Sequence, residues 1–231
     1  MLFQVRFLRL EVKVTLKPVR KIGKGRRGNR GRIGAAKAGG RAVFESTLER
    51  DFYLTLEFDP AVRAFSPQPV IVRYRGIGGR LKPYVPDVLV EYWDMRSPCL
   101  FEVKYVADLL KDLAEYRLRF QAARAYARTE GWQFCTVTEH SIRTEIVRNA
   151  VFLRPFLDPA RVFDPAVQSG MLARLEEHGE STPARLLADC TPEERGARLP
   201  ALWNLIARRE IVASLDQPLK MTSLLTRKIP A

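Results

Sequence analysis

The apolar positions of this chain fall into short runs with two different periods. Phe44, Leu48 and Phe52 recur at four-residue spacing, which predicts a helix over residues 43–57 with one apolar stripe. Asp59-Pro60 closes that helix, because proline has no amide hydrogen with which to continue the ladder. A β-branched run over 70–74 leads into the Gly76-Ile77-Gly78-Gly79 turn, and two further strands are predicted over 88–93 and 100–105, joined through Arg96-Ser97-Pro98. A long helix over 109–128 stops at Gly131, a strand follows over 134–138, and another helix covers 141–152. Strands with flanking helices predict an α/β core.

The pattern changes at Pro155, Pro159 and Pro165. Beyond them the periodicity predicts helices over 167–178, 183–190 and 193–209, then a short hairpin with strands over 212–215 and 220–225. Three helices and a hairpin are the layout of a winged-helix module, whose core would include Leu199, Leu202, Trp203 and Ile206. A chain of 231 residues suits two small domains, and the expected division is an arm over 1–40, an α/β domain over 41–158 and a winged-helix-like domain over 159–231.

Charge adds a partner to this picture. Thirty-nine Lys and Arg against 26 Asp and Glu give a formal net charge of +13, a surface that attracts polyanions, nucleic acid first among them. Residues 12–44 contain no acid, and the stretch carrying Lys21, Lys24, Arg26, Arg27, Arg30 and Arg32 has almost nothing to bury. It reads as a flexible DNA-binding arm that orders on a phosphate backbone. Cys99, Cys135 and Cys190 are scattered, without the spacing of a disulfide framework or a zinc site, and read as small buried apolar residues of a cytoplasmic protein. With His140 and His178 the only histidines, a histidine-rich metal site or a Ser/His triad is disfavoured. No apolar run approaches the roughly 20 residues needed to span a bilayer, so no membrane partner is expected.

The candidate chemistry sits in Pro86-Asp87 and in Glu102-Val103-Lys104. Side chains alternate along a strand, so Glu102 and Lys104 point one way, while Cys99, Phe101, Val103 and Tyr105 make the buried face. Asp87 opens the neighbouring strand, which gathers two carboxylates and an ammonium at one lip of the sheet. Charges so placed are costly unless they serve each other or a metal. Phosphodiester hydrolysis requires a nucleophilic water and neutralisation of charge growing on the phosphate, both of which Mg²⁺ held by carboxylates supplies, with Mn²⁺ as a substitute. Lys104 would orient the water or stabilise the transition state. A third acid is expected from the preceding helix, where Glu49 and Glu45 both lie off the apolar stripe and periodicity does not separate them.

Several short motifs, in this order and spacing, resemble the TnsA family. They are Ser46-Thr47-Leu48-Glu49-Arg50-Asp51-Phe52, Leu54 to Asp59, Val62, Gln68-Pro69, Pro86-Asp87-Val88-Leu89-Val90, Phe101-Glu102-Val103-Lys104, Gly131-Trp132 and Val137-Thr138-Glu139. The resemblance runs from about residue 41 to 156. It implies a restriction-endonuclease-like PD-(D/E)xK core with catalytic Glu49, Asp87, Glu102 and Lys104, of which Glu49, Asp87 and Glu102 bind the metal. It also implies the endonuclease subunit of a heteromeric transposase, nicking the 5′ ends of transposon DNA beside a DDE transposase (TnsB), with an ATPase regulator (TnsC) as a further partner. Two other readings of the same residues are a free-standing restriction or repair endonuclease and a DNA-binding scaffold with a degenerate site.

Overall fold

The structure is a computed structural model that describes residues 30–228. In chain order its elements are β1 (Gly31–Ala35), a 3-10 turn (Ala36–Ala38), β2 (Gly40–Phe44), α1 (Thr47–Phe58), β3 (Val62–Pro67), β4 (Val72–Arg75), β5 (Leu81–Tyr84), β6 (Val88–Tyr92) and β7 (Cys99–Val103). There follow α2 (Val106–Lys111), α3 (Leu113–Thr129), β8 (Gln133–Val137), α4 (Glu139–Ile142), α5 (Glu145–Leu153), a 3-10 turn (Arg154–Leu157) and α6 (Pro165–His178). The chain ends in β9 (Glu180–Ser181), α7 (Pro183–Leu186), α8 (Pro192–Ala207), β10 (Ile211–Ala213) and β11 (Leu225–Arg227). It is a mixed α/β protein in two compact units. One comprises the described residues up to Ser46 with Ala61–Thr136, and the other Thr47–Pro60 with the residues from Val137 onward. This division places α1 with the C-terminal elements.

The first unit is built on a four-stranded sheet of order β3-β6-β7-β8, in which β6 runs antiparallel to both β3 and β7. Val88, Leu89 and Val90 are all buried in β6, and Leu100, Glu102 and Val103 in β7. The expected alternation on β7 is therefore corrected: Phe101 and Tyr105 are only half-buried, while Leu100 and Glu102 lie inside. A central strand covered on both faces buries successive residues rather than every second one. A separate hairpin, β4-β5, pairs Val72 with Tyr84 and Tyr74 with Lys82. Its Val72, Tyr74 and Tyr84 close a small core with Ala123 of α3 and with the flanking Leu118, Tyr126 and Phe134.

Two further expectations on this unit change. Residues 43 and 44 belong to β2, and the helix begins at Thr47. Ala42 and Phe44 are buried with half-exposed Val43 between them, a two-residue period that coincides with the helical one at Phe44. Within the stretch expected as a flexible arm, the described residues from Gly31 form β1, which pairs with β2 from Gly31↔Phe44 to Ala35↔Gly40. The link between the two strands is possible because Gly39 and Gly40 take φ of 70° and 104°, which side-chain-bearing residues rarely adopt. The long helix over 109–128 is also two helices, α2 and α3, broken at Asp112 with φ −126°.

In the second unit α1 packs on α4 and α5. The Asn149 side chain of α5 holds the 215–219 segment: its amide donates to the carbonyls of Leu215 (2.9 Å) and Gln217 (2.7 Å), and its oxygen accepts from the Leu219 N–H (3.1 Å). Asp164 caps α6, and a reciprocal Thr191–Glu194 capping box starts α8. Leu202, Trp203 and Ile206 of α8 are buried as expected, and Trp203 meets Phe152 edge to face at 5.3 Å. Asn204 donates to the Phe156 carbonyl at 2.6 Å and accepts from Gln168 at 2.8 Å, so a buried amide is satisfied between three segments. The terminal sheet has the order β10-β11-β9 and is antiparallel. Its last strand is Leu225–Arg227 instead of 220–225, because residues 214–224 form a longer connection.

Candidate active site

Antiparallel pairing of β6 with β7 sets the site. The register Val88↔Phe101 continues one step to bring Asp87 opposite Glu102, and the Asp87 N–H donates to the Phe101 carbonyl at 3.0 Å. Asp87 Oδ2 in turn accepts the Val103 N–H at 2.7 Å, so the side chain is tied to the neighbouring strand at its own level. Lys104 follows β7 with Nζ 3.3 Å from Glu102 Oε1 and 3.8 Å from Asp87 Oδ2. The two carboxylates are buried and the lysine side chain is 28 % exposed, which gives a charged cluster with one solvent-facing member.

Burial pushes the Glu102 carboxyl up to about 8, reinforced by the negative charge of Asp87 and opposed by Lys104. Burial likewise raises the Asp87 carboxyl, while Lys104 and the Val103 N–H pull it back and a hydrogen bond joins it to Glu102. Two buried acids sharing one site cannot both ionise cheaply without a compensating cation.

Tyr84 of β5 was absent from the sequence-based site. Its hydroxyl donates to Glu102 Oε2 at 2.6 Å. Burial and the Glu102 charge raise that phenol far above its ordinary value, which favours the protonated, donating form. In the sequence Gln68 stands out only as part of a motif. Its N–H donates to the Asp87 carbonyl at 2.8 Å. The residue is buried with φ 47°, and its Oε1 has no hydrogen-bond partner among the described residues. A left-handed backbone at a side-chain-bearing residue is the structural mark of a constrained position.

This arrangement of strands, acids and lysine lies inside a recognisable segment. Residues 59–139 match the family model described as TnsA-like endonuclease N terminal. The chain carries a TnsA-like endonuclease domain. The match covers all of Ala61–Thr136 of the first unit, and with it Gln68, Tyr84, Asp87, Glu102 and Lys104. A comparison with curated proteins gives no match.

The remaining predicted residues lie outside the matched segment. Glu49 is buried in the first turn of α1, in the second unit. Its alternative, Glu45, lies between β2 and α1 in the same unit as the TnsA-like cluster; its charge raises the Asp87 carboxyl, and it pairs with Arg30 at 3.8 Å. Among the described residues no group of three or more His, Cys, Asp or Glu is arranged to hold a metal, so what the structure brings together is two carboxylates and a lysine. Of the basic arm, Arg30 and Arg32 are exposed beside and on β1, whereas Lys21, Lys24, Arg26 and Arg27 lie outside the described residues. A cleft of about 410 Å³ in the second unit, lined by Phe58, Ile146, Ile206, Ile211 and Leu215, contains none of the predicted site residues. No helix among the described residues is long and apolar enough to cross a membrane.

The donor set of the cluster suits a hard divalent cation: two buried carboxylates, raised by burial, that a cation would return to their ionised form. The raised Glu102 has a consequence for stability. Folded protein keeps a proton that unfolded chain, with an ordinary value of 4.5, gives up. The stabilising proton is fully present below that value and is lost as pH rises towards about 8, so metal-free protein should lose stability across this window. Thermal midpoints recorded in chelator from pH 5 to pH 8 should fall more steeply for the native chain than for Glu102→Gln, and parallel curves would refute the assignment.

Proposed function

We propose that the chain is a metal-dependent DNA endonuclease subunit of a transposase, nicking the 5′ ends of the transposon during excision while a DDE transposase (TnsB) processes the other strand. The observation that carries this reading is the convergence of Asp87, Glu102 and Lys104 at adjoining strand ends inside the TnsA-like segment. In this reading the first unit has a restriction-endonuclease-like PD-(D/E)xK core, within a 41–158 endonuclease domain. Residues 159–231 act as a winged-helix-like module, which the helices α6 to α8 and the β10-β11-β9 sheet support. Such modules bind either DNA or protein, and an ATPase regulator (TnsC) is the protein partner proposed.

Asp87 and Glu102 would hold Mg²⁺ or Mn²⁺, with Glu49 as the third acid that the family resemblance supplies. A cation held there would supply neutralisation of charge on the scissile phosphate and help in ionising a water. Lys104, the solvent-facing member of the cluster, would orient the attacking water and stabilise negative charge on the phosphate oxygens. Asp87 is fixed for its role by the Val103 N–H, and Glu102 by the Tyr84 hydroxyl. The basic residues Lys21, Lys24, Arg26, Arg27, Arg30 and Arg32 supply sequence-independent phosphate contacts.

The test is a strand-specific cleavage assay on transposon-end DNA in Mg²⁺, with and without the cognate DDE transposase. Cutting confined to the 5′ ends and dependent on the partner is the expected result. Vigorous cutting of arbitrary DNA by the purified chain would make it a free-standing nuclease instead.

A further inference from the structure

Two carboxylates form the candidate metal site, and one oxygen of each is already committed to a donor held rigidly by the fold. For Asp87 that donor is the Val103 N–H on β7, 2.7 Å from Oδ2. For Glu102 it is the hydroxyl of Tyr84, 2.6 Å from Oε2. The second donor is anchored with particular care. Tyr84 is buried, pairs with Val72 across the β4-β5 hairpin, and packs in the small core with Tyr74 and Ala123. Its ring meets that of Tyr74 edge to face at 6.4 Å. Tyr74 is held in turn, since its hydroxyl donates to Glu115 at 2.5 Å and accepts from Arg119 Nε at 3.0 Å. Lys82 of the same hairpin closes on Glu115 at 2.8 Å. The hairpin is thus pinned to α3 by a polar network on one side and an apolar cluster on the other, and Tyr84 cannot swing away from Glu102 without breaking both. The other oxygen of Glu102, Oε1, faces Lys104 at 3.3 Å, which is the open side of the cluster.

We propose that Tyr84 is a positioning residue that sets which divalent cation the site accepts, by occupying Glu102 Oε2 so that Glu102 meets the cation through Oε1 alone. Mg²⁺ requires six ligands in near-ideal octahedral geometry and is served by carboxylates that each give one oxygen. Ca²⁺ takes six to eight oxygens at longer range and gains from carboxylates that chelate with both. A hydroxyl locked on one oxygen of Glu102 withholds that second contact and so works against the larger ion. The inference rests on Asp87 and Glu102 being metal ligands.

The experiment uses the full chain and does not depend on cleavage. Mn²⁺ binding is followed through loss of the free-ion electron paramagnetic resonance signal, and Mg²⁺ and Ca²⁺ affinities are obtained by displacement. In Tyr84→Phe the ring stays in its core while the hydroxyl is removed, and the ratio of Ca²⁺ to Mg²⁺ affinity is expected to rise about tenfold as Glu102 becomes able to chelate. Tyr74→Phe removes a neighbouring hydroxyl that serves Glu115 instead of Glu102, and should leave the ratio unchanged. Thermal midpoints in chelator establish that both variants are folded. An unchanged ratio in Tyr84→Phe, or an equal shift in Tyr74→Phe, overturns the role of Tyr84 while leaving the metal site standing. Mn²⁺ binding that is absent, or insensitive to Asp87→Asn, removes the metal site itself and the inference with it.

Discussion

Asp87→Asn is expected to lower DNA cleavage by at least about 10³-fold, equivalent to about 4 kcal/mol of transition-state stabilisation, with DNA affinity unchanged. Asparagine is chosen because its side-chain oxygen still accepts the Val103 N–H that Asp87 Oδ2 accepts at 2.7 Å. Alanine would orphan that buried amide and confuse lost chemistry with a cost of about 1–3 kcal/mol in stability. The substitution also removes the charge that helps raise Glu102, so metal-free Asp87→Asn should be no less stable than the native chain near neutral pH. Single-turnover cleavage, DNA binding measured in Ca²⁺ or chelator, and thermal midpoints separate the three effects. A variant that cuts at the native rate ends the assignment of Asp87 as a metal ligand.

The second large effect belongs to Lys104. Lys104→Ala should reduce the cleavage rate by about 10²–10³-fold, the scale seen when one group aimed at developing charge is deleted. Lys104 stands 3.3 Å from Glu102 and 3.8 Å from Asp87, and its positive charge lowers both carboxyls. Its removal therefore has two consequences of different kind. The carboxyls become harder to ionise, a defect that higher pH or more cation repairs. The charge facing the phosphate is missing, a defect that neither repairs. A residual loss of two orders of magnitude at saturating Mg²⁺ and high pH identifies the second role. Full recovery under those conditions would reduce Lys104 to a tuner of its acidic neighbours.

The strands that carry this chemistry were legible in the sequence because they are short apolar runs bounded by turn residues. The span expected over 88–93 became Val88–Tyr92, and that over 100–105 became Cys99–Val103, each within two residues at its ends. Alternation along a strand was enough to place Glu102 and Lys104 on one side. It was not enough to show that Glu102 is buried, because that depends on what covers the strand. The covering element contains Tyr84, and β5 was illegible for a physical reason: Leu81–Tyr84 includes Pro83, which cannot donate to a ladder and argues against a strand wherever it occurs. In the structure Pro83 is tolerated in a two-stranded hairpin opposite Arg73. The β1-β2 hairpin was hidden by a composition of arginine and glycine that gives no apolar signal beyond Ile33, Ala35 and the Ala42-Val43-Phe44 run. Phe44 then served two periods at once, and the helix was started too early. Asp112 hid the break between α2 and α3, since one residue with an irregular backbone leaves no compositional trace.

Gln68 marks a position where this molecule holds strain close to its candidate site. A left-handed backbone at a residue with a side chain carries about 1–3 kcal/mol that a glycine there would escape. That strain is held next to the strand end bearing Asp87, through a 2.8 Å bond to its carbonyl. A domain of this size has only about 5–15 kcal/mol of net stability to lose. Variants selected purely for heat resistance would therefore be drawn towards glycine at position 68, which keeps the backbone N–H that bonds the Asp87 carbonyl. Robustness could thus be gained at a single peptide unit with the Asp87 strand end still held through the same main-chain bond.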